Sequence, residues 1–184
     1  MKMKETYQKT IAPKLMKEFK LSNIMEVPRL KKISVNSGMG SYRDSREAVD
    51  SLINDLSLIT GQRPFPRKSR KSEAGFKMRK NEVVGYAVTL RGDRMWAFLD
   101  KFLNVVLPRV RDFRGLNTTS FDENGNYSVG LREHVIFPEV NPNTVKGIRG
   151  LQVTVVMEGN NKDHNLALLR ELGFPFKKDE RKSS

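Results

Sequence analysis

Chemistry in a protein starts from nucleophiles, general bases and metal ligands, and this chain holds few of them. Its 184 residues include two histidines and no cysteine. That removes thiolate nucleophiles, disulfides and thiolate metal sites together. His134 follows Glu133 and His164 follows Asp163, but sequence neighbours make neither a triad nor a zinc site, and both imidazoles read as structural or solvated. Asp122–Glu123 would suit a hard cation, yet within SFDENGNYS they read first as turn formers. NSGMGSYR, starting at Asn36, opens like a dinucleotide fingerprint at Gly38-Met39-Gly40. Arg43 stands where the third glycine belongs, and no acid closes a second strand about twenty residues further on. A tight turn is the better reading. No catalytic residue, metal or cofactor is expected.

What the chain does hold is positive charge: 34 Lys and Arg against 21 acids, a formal net charge of +13. Such a field favours an anionic partner, nucleic acid before a membrane surface. The charge is concentrated in RPFPRKSRKSEAGFKMRK, from Arg63 to Lys80, with eight basic residues, one acid and no sustained apolar period. At its centre Ala74-Gly75-Phe76 lies between Lys71 and Lys77. A small tip with one aromatic among cations can meet a phosphate backbone and stack on a base or ribose; Phe76 folding back onto the domain is the alternative. PRVRDFRG repeats the theme, with Arg109, Arg111 and Arg114 around Phe113. No apolar run is long enough to span a bilayer. MKMKETYQKT lacks the apolar stretch of a secretory signal, the absence of cysteine suits a reducing compartment, and the sequons at Asn117 and Asn126 read as chance matches.

The elements that position these residues alternate in type. The segment Glu5 to Phe19 reads as a helix with Ile11, Leu15, Met16 and Phe19 as its stripe and Pro13 as a disturbance. KKISVNSG reads as a strand, Ile33 and Val35 facing one way and Ser34 and Asn36 the other. Asp44 with Glu47 suggests a helix cap. After it Ala48, Val49, Leu52, Ile53, Leu56 and Ile59 recur at helical spacing until Gly61. VVGYAVTLRG alternates Val84, Tyr86, Val88 and Leu90 against Gly85, Ala87 and Thr89. A second strong helix runs from Asp93 to Pro108, NYSVG and LQVTVVME read as strands, and a short helix from Asp163 to Leu172 ends at Gly173. Helices of this number can cover only one side of a sheet. The expectation is an α+β fold: an antiparallel-rich sheet, helices packed on one face, an open RNA-binding face, and a long protruding basic loop over 67–81. Residues 1–178 are expected to form a single domain, and 179–184 a disordered tail.

The open face is expected to carry Ser34, Asn36, Gly85, Ala87 and Thr89, with Gln62 at the mouth of the basic loop. Small residues let a polymer approach, amides meet base edges or riboses, and a hydroxyl can meet a 2′-OH. Facing water alone is the other reading. Arg29, Lys32, Arg63, Lys68 and Arg91 are candidates for neutralising phosphates.

Seven segments, VNSGMG, TGQRP, RKSRKSEAGFKMR, VTLRGDRMWAFLDKF, PRVRDFRGL, GNYSVGLREHVIFPE and RGLQV, occur in this order. In them the chain resembles the bacterial-type large ribosomal subunit protein five family, from near the N-terminus to GFPFKK. The resemblance implies a non-enzymatic component of the large subunit of a cytoplasmic ribosome, leaving an organellar ribosome open. It implies that Asn36, Gln62 and Thr89 recognise 5S rRNA, beside large-subunit rRNA. It also implies that Lys71, Ser72, Ala74, Gly75, Phe76, Lys77, Arg79 and Lys80 reach the P-site tRNA. Arg109, Arg111 and Arg114, with Asn143 and Lys146 of the Asn141–Lys146 turn, would form a bridge to small-subunit protein thirteen. The protein would be a monomer within the ribosome, with no membrane contact. A free-standing RNA-binding regulator or RNA chaperone using the same face is the rival reading.

Overall fold

The computed structural model describes residues 2–143, 145–159 and 161–177; the tail 179–184 lies outside the described residues. Helix α1 (Lys2–Thr6) runs through a wider π turn at Tyr7–Ile11 into α2 (Ala12–Glu18). The ladder is disturbed where expected, since Pro13 has no N–H to return to the carbonyl four residues back. Strand β1 (Arg29–Gly38) buries Ile33, Val35 and Ser37 and turns Ser34 and Asn36 away. Lys31 and Lys32 both escape burial in succession, so the burial alternation breaks there.

Helix α3 (Arg46–Thr60) starts one residue later than the Asp44 signal indicates. Ser45, in an extended conformation, accepts the Ala48 N–H at 3.4 Å and is the cap. The helix ends as the sequence indicates, at Gly61 with φ 65°, a left-handed conformation that favours glycine. Strands β2 (Phe65–Lys68) and β3 (Val83–Leu90) pair antiparallel. Helix α4 (Gly92–Lys101) continues through a π turn and a 3-10 turn to Arg109. Then come β4 (Tyr127–Leu131), β5 (Leu151–Glu158) and α5 (Lys162–Glu171), whose Asn161 cap accepts the Asp163 N–H at 2.9 Å. The five strands form one sheet ordered β2-β3-β1-β5-β4, and the expected α+β class stands.

Contacts gather the chain into two compact units: the described parts of 1–33, 91–129 and 154–184, and residues 34–90 with 130–153. In the first unit α1 packs on α4 and α2 on α5, burying Leu15, Leu99, Phe102, Val155 and Leu168 completely. Apolar burial on this scale is the main stabilising contribution. In the second, α3 packs on β3, and Leu52, Leu56, Ile59, Val88 and Leu90 are shut from water.

The second unit also buries a polar cluster. His134, 1% exposed, accepts the Arg149 N–H on Nδ1 at 3.2 Å. Its Nε2 therefore carries the proton and donates to Asp55 Oδ2, also 3.2 Å away. The Arg149 guanidinium donates through Nη2 to the carbonyls of Ala48 (2.8 Å) and Lys146 (2.9 Å) and lies over the Tyr42 ring at 5.0 Å. The histidine is structural, as its sequence context indicates, and it ties α3 to the segment 134–150. Replacing His134 with Phe keeps the bulk but strands the Arg149 N–H and leaves the Asp55 carboxylate only the Ser51 hydroxyl, at 3.4 Å. Urea unfolding should show a loss of about 1–3 kcal/mol; an unchanged midpoint contradicts this role.

Candidate nucleic-acid interface

Burial of Val88 and Leu90 against the helix layer sends the alternate residues of β3 to the other face. Thr89 is half-buried there, and on β1 Ser34 is half-buried and Asn36 exposed, all three turned from the core as expected. Gly85 and Ala87 differ from expectation: both are buried. A Cβ on Gly85 would sit 2.7 Å from Ser37 O, so the missing side chain serves the close approach of the backbone at the end of β1, not of a polymer. Ala87 is 1% exposed and stands opposite Phe65 on β2. Phe65 and Arg67 pair with Ala87 and Gly85, so both rise on this same face. Sequence reasoning missed them as face residues; the i, i+2 spacing of an aromatic and a cation in a strand was the available signal.

Gln62 and Arg63 lie on the connector from α3 to β2. Thr60 Oγ1 lies 2.7 Å from Leu56 O and 3.0 Å from Gln62 O, which share its one proton, and it accepts the Gln62 N–H at 3.4 Å; this holds the Gln62 backbone while the residue stays half-buried. Arg63, Lys68 and Arg91 are exposed and Lys32 is half-buried. Arg29 is engaged already: its Nε lies 2.8 Å from Glu158 Oε2, and Lys31 Nζ is 3.7 Å from the other oxygen. The hydrogen bond from Arg29, then the charges of Arg29 and Lys31, hold the Glu158 carboxyl below the usual range. Arg29 is therefore already paired, with an acid that the sequence reading passed over.

The basic loop carries its own hydrogen bonds. Ser69 N–H donates to Glu82 O and Asn81 N–H to Ser69 O, while Glu73 and Met78 exchange both backbone bonds across a one-bridge ladder. Between them Ala74–Phe76 makes a 3-10 turn that closes on Lys77, whose φ is 49°. Lys71, Ser72, Ala74, Gly75, Phe76, Lys77, Arg79 and Lys80 are all exposed. Phe76, at 73% exposure, faces outward and does not fold back. Arg43 pins the far side: its Nη2 donates to Lys77 O at 3.0 Å. Its Nε is 3.0 Å from Glu82 Oε1, an ion pair too bent to be a hydrogen bond.

Arg109, Arg111 and Arg114 are exposed along a bend in which Asp112 has φ 53°. The bend is anchored where Leu116 N–H donates to Pro175 O (2.7 Å) and Lys177 N–H to Leu116 O (2.9 Å). Asn143 donates its N–H to Asn141 Oδ1 at 3.0 Å. Lys146 is exposed but tied to Glu47, Nζ to Oε2 2.6 Å. Gly38-Met39-Gly40 is a turn whose Met39 N–H is spent on Val84 O, with Gly40 at φ 51° opening a 3-10 turn; it is no phosphate cradle. His164 stacks on Phe19 with centroids 3.9 Å apart. Among the described residues no cluster of histidines and acids could hold a metal, and no helix is long and apolar enough to cross a membrane.

A one-sided sheet with a cationic loop marks a scaffold for contact rather than a site for catalysis. Comparison with known proteins makes the class particular. The family model "Ribosomal protein L5" matches residues 23–79, and the model of the same family's C-terminus matches 83–176. The large ribosomal subunit protein uL5 of Rippkaea orientalis is 48% identical over 176 residues, covering 96% of this chain and 98% of that protein. The uL5 proteins of a Synechococcus species (46%) and of Chloroflexus aurantiacus (48%) match as extensively. The chain belongs to the ribosomal protein L5 family, whose members are structural and not enzymes.

The Arg43 contacts predict the behaviour of the loop. Arg43→Ala should speed trypsin cleavage at Lys77, Arg79 and Lys80 severalfold while the thermal midpoint of the whole protein stays put. Equal cleavage rates contradict the pin.

Proposed function

We propose that this protein is a structural component of the large ribosomal subunit that grips 5S rRNA, within the surrounding large-subunit rRNA, on the uncovered sheet face. The observation that carries the reading is the division of β3: core residues under α3 on one side, and Thr89 on the same face as Phe65 and Arg67 on the other. Asn36, Gln62 and Thr89 supply the hydrogen bonds that discriminate, aided by Ser34, because a wrong surface leaves buried donors and acceptors unpaired. Lys32, Arg63, Lys68 and Arg91 neutralise phosphates, with Arg29 joining when RNA displaces Glu158. These contacts supply affinity that falls with salt.

The exposed loop from Lys71 to Lys80 serves a second RNA, the tRNA in the P site, with Phe76 at its tip as the group that stacks or wedges. Its folded turn lowers the ordering cost of that contact. Arg109, Arg111 and Arg114, and separately Asn143 and Lys146, meet small-subunit protein thirteen. No step of chemistry is involved, and the protein acts as a monomer within the cytoplasmic ribosome. The uL5 name and near-complete coverage of the bacterial relatives support the assignment to the large subunit.

The test is the affinity of the purified protein for 5S rRNA and for an unrelated RNA of equal length, at several salt concentrations. Selective binding that survives moderate salt is expected. Asn36→Ala should weaken 5S rRNA binding by about 1–3 kcal/mol with folding intact. Equal, steeply salt-dependent binding to both RNAs leaves only a cationic surface and contradicts the reading.

A further inference from the structure

Phe65 is a large aromatic, 38% exposed, on a strand at the edge of the sheet. A phenyl ring in that position is costly to leave in water and adds a hazard at a sheet edge. The Arg67 guanidinium lies over its ring, with Cζ 4.5 Å from the centroid, so the aromatic and the cation form a cation–π pair. Their partners across the ladder are Ala87 and Gly85, the two smallest side chains available, so no bulky group from β3 rises beside the pair. From Arg63 to Ser72 the sequence has no acid and five cations, which repels a cationic partner and attracts a polyanion. A ring backed by a guanidinium in an acid-free field fits one ligand chemistry: a nucleobase joined to phosphates, whose π-face stacks while its backbone meets the charge.

We infer that Phe65 and Arg67 form a stacking platform for one unpaired base of the RNA bound on the sheet face. The inference rests on the RNA-binding reading above and adds to it a contact that is aromatic rather than hydrogen-bonded. Phe65 contributes the stacked surface; Arg67 holds the ring and neutralises the adjacent phosphate. The ring is sequence-tolerant, since every base has a π-face, so the platform adds affinity and fixes position while Asn36, Gln62 and Thr89 discriminate.

The test compares wild type, Phe65→Leu, Phe65→Trp and Arg67→Gln for binding to a 5S rRNA transcript across salt concentrations, after thermal melting establishes that each is folded. Phe65→Leu should weaken binding roughly tenfold with the salt slope unchanged, and Phe65→Trp should restore it. Arg67→Gln should weaken binding and make the slope shallower by about one. Selective wild-type binding with Phe65→Leu equal to wild type overturns the platform and leaves the wider reading intact. So does a Phe65→Leu loss that Phe65→Trp does not restore. A wild type that does not prefer the 5S transcript over an unrelated RNA overturns both.

Discussion

Everything proposed for the sheet depends on one constraint: side chains alternate along a strand, and Val88 and Leu90 must lie against the apolar stripe of α3. Once those two are buried, Thr89 has no choice of side. Ala87 and Gly85 follow it, and through the register with β2 so do Phe65 and Arg67. A slip of one residue would exchange the faces, exposing two aliphatic side chains and burying a guanidinium. The core and the candidate interface are thus specified by the same packing, and neither can change without the other.

The burial of Gly85 and Ala87 shows what that packing asks of the outward face. At Gly85 the approach of Ser37 O leaves no room for a Cβ, so the strand interior is closed by protein. The surface proposed for a partner lies instead at Asn36, Thr89 and the Phe65–Arg67 pair. The His134–Asp55–Arg149 cluster works behind that surface. By joining α3 to the segment 134–150 it ties the helix to that segment, and hydrogen bonds on both ring nitrogens and on Arg149 Nη2 offset part of its cost, while Arg149 Nε and Nη1 stay buried without a hydrogen-bond partner.

Much of this was legible in the residue order. The strand LQVTVVME and the run ending at Gly61 stand where periodicity and a left-handed stop put them, because both are dictated locally. The helix cap moved from Asp44 to Ser45 because capping depends on backbone geometry that composition does not carry. The folded state of the basic loop was not legible, since it rests on a two-residue bridge and on Arg43, thirty-four positions from Lys77. The burial of Gly85 and Ala87 was hidden for a related reason: small size signals close approach without saying what approaches. The Arg29–Glu158 pair, 129 positions apart, was equally out of reach of any local pattern.

The two proposed RNA surfaces are separate on the protein, and their separation can be tested directly by backbone hydrogen exchange with and without bound 5S rRNA. Slowed exchange should appear in the segment Gln62–Lys68 and at the β1 and β3 residues around Asn36 and Thr89, while the amides of 71–80 exchange as in the free protein. Protection centred on 71–80, with the sheet unaffected, would contradict the account, because the loop and not the uncovered face would then hold the 5S rRNA.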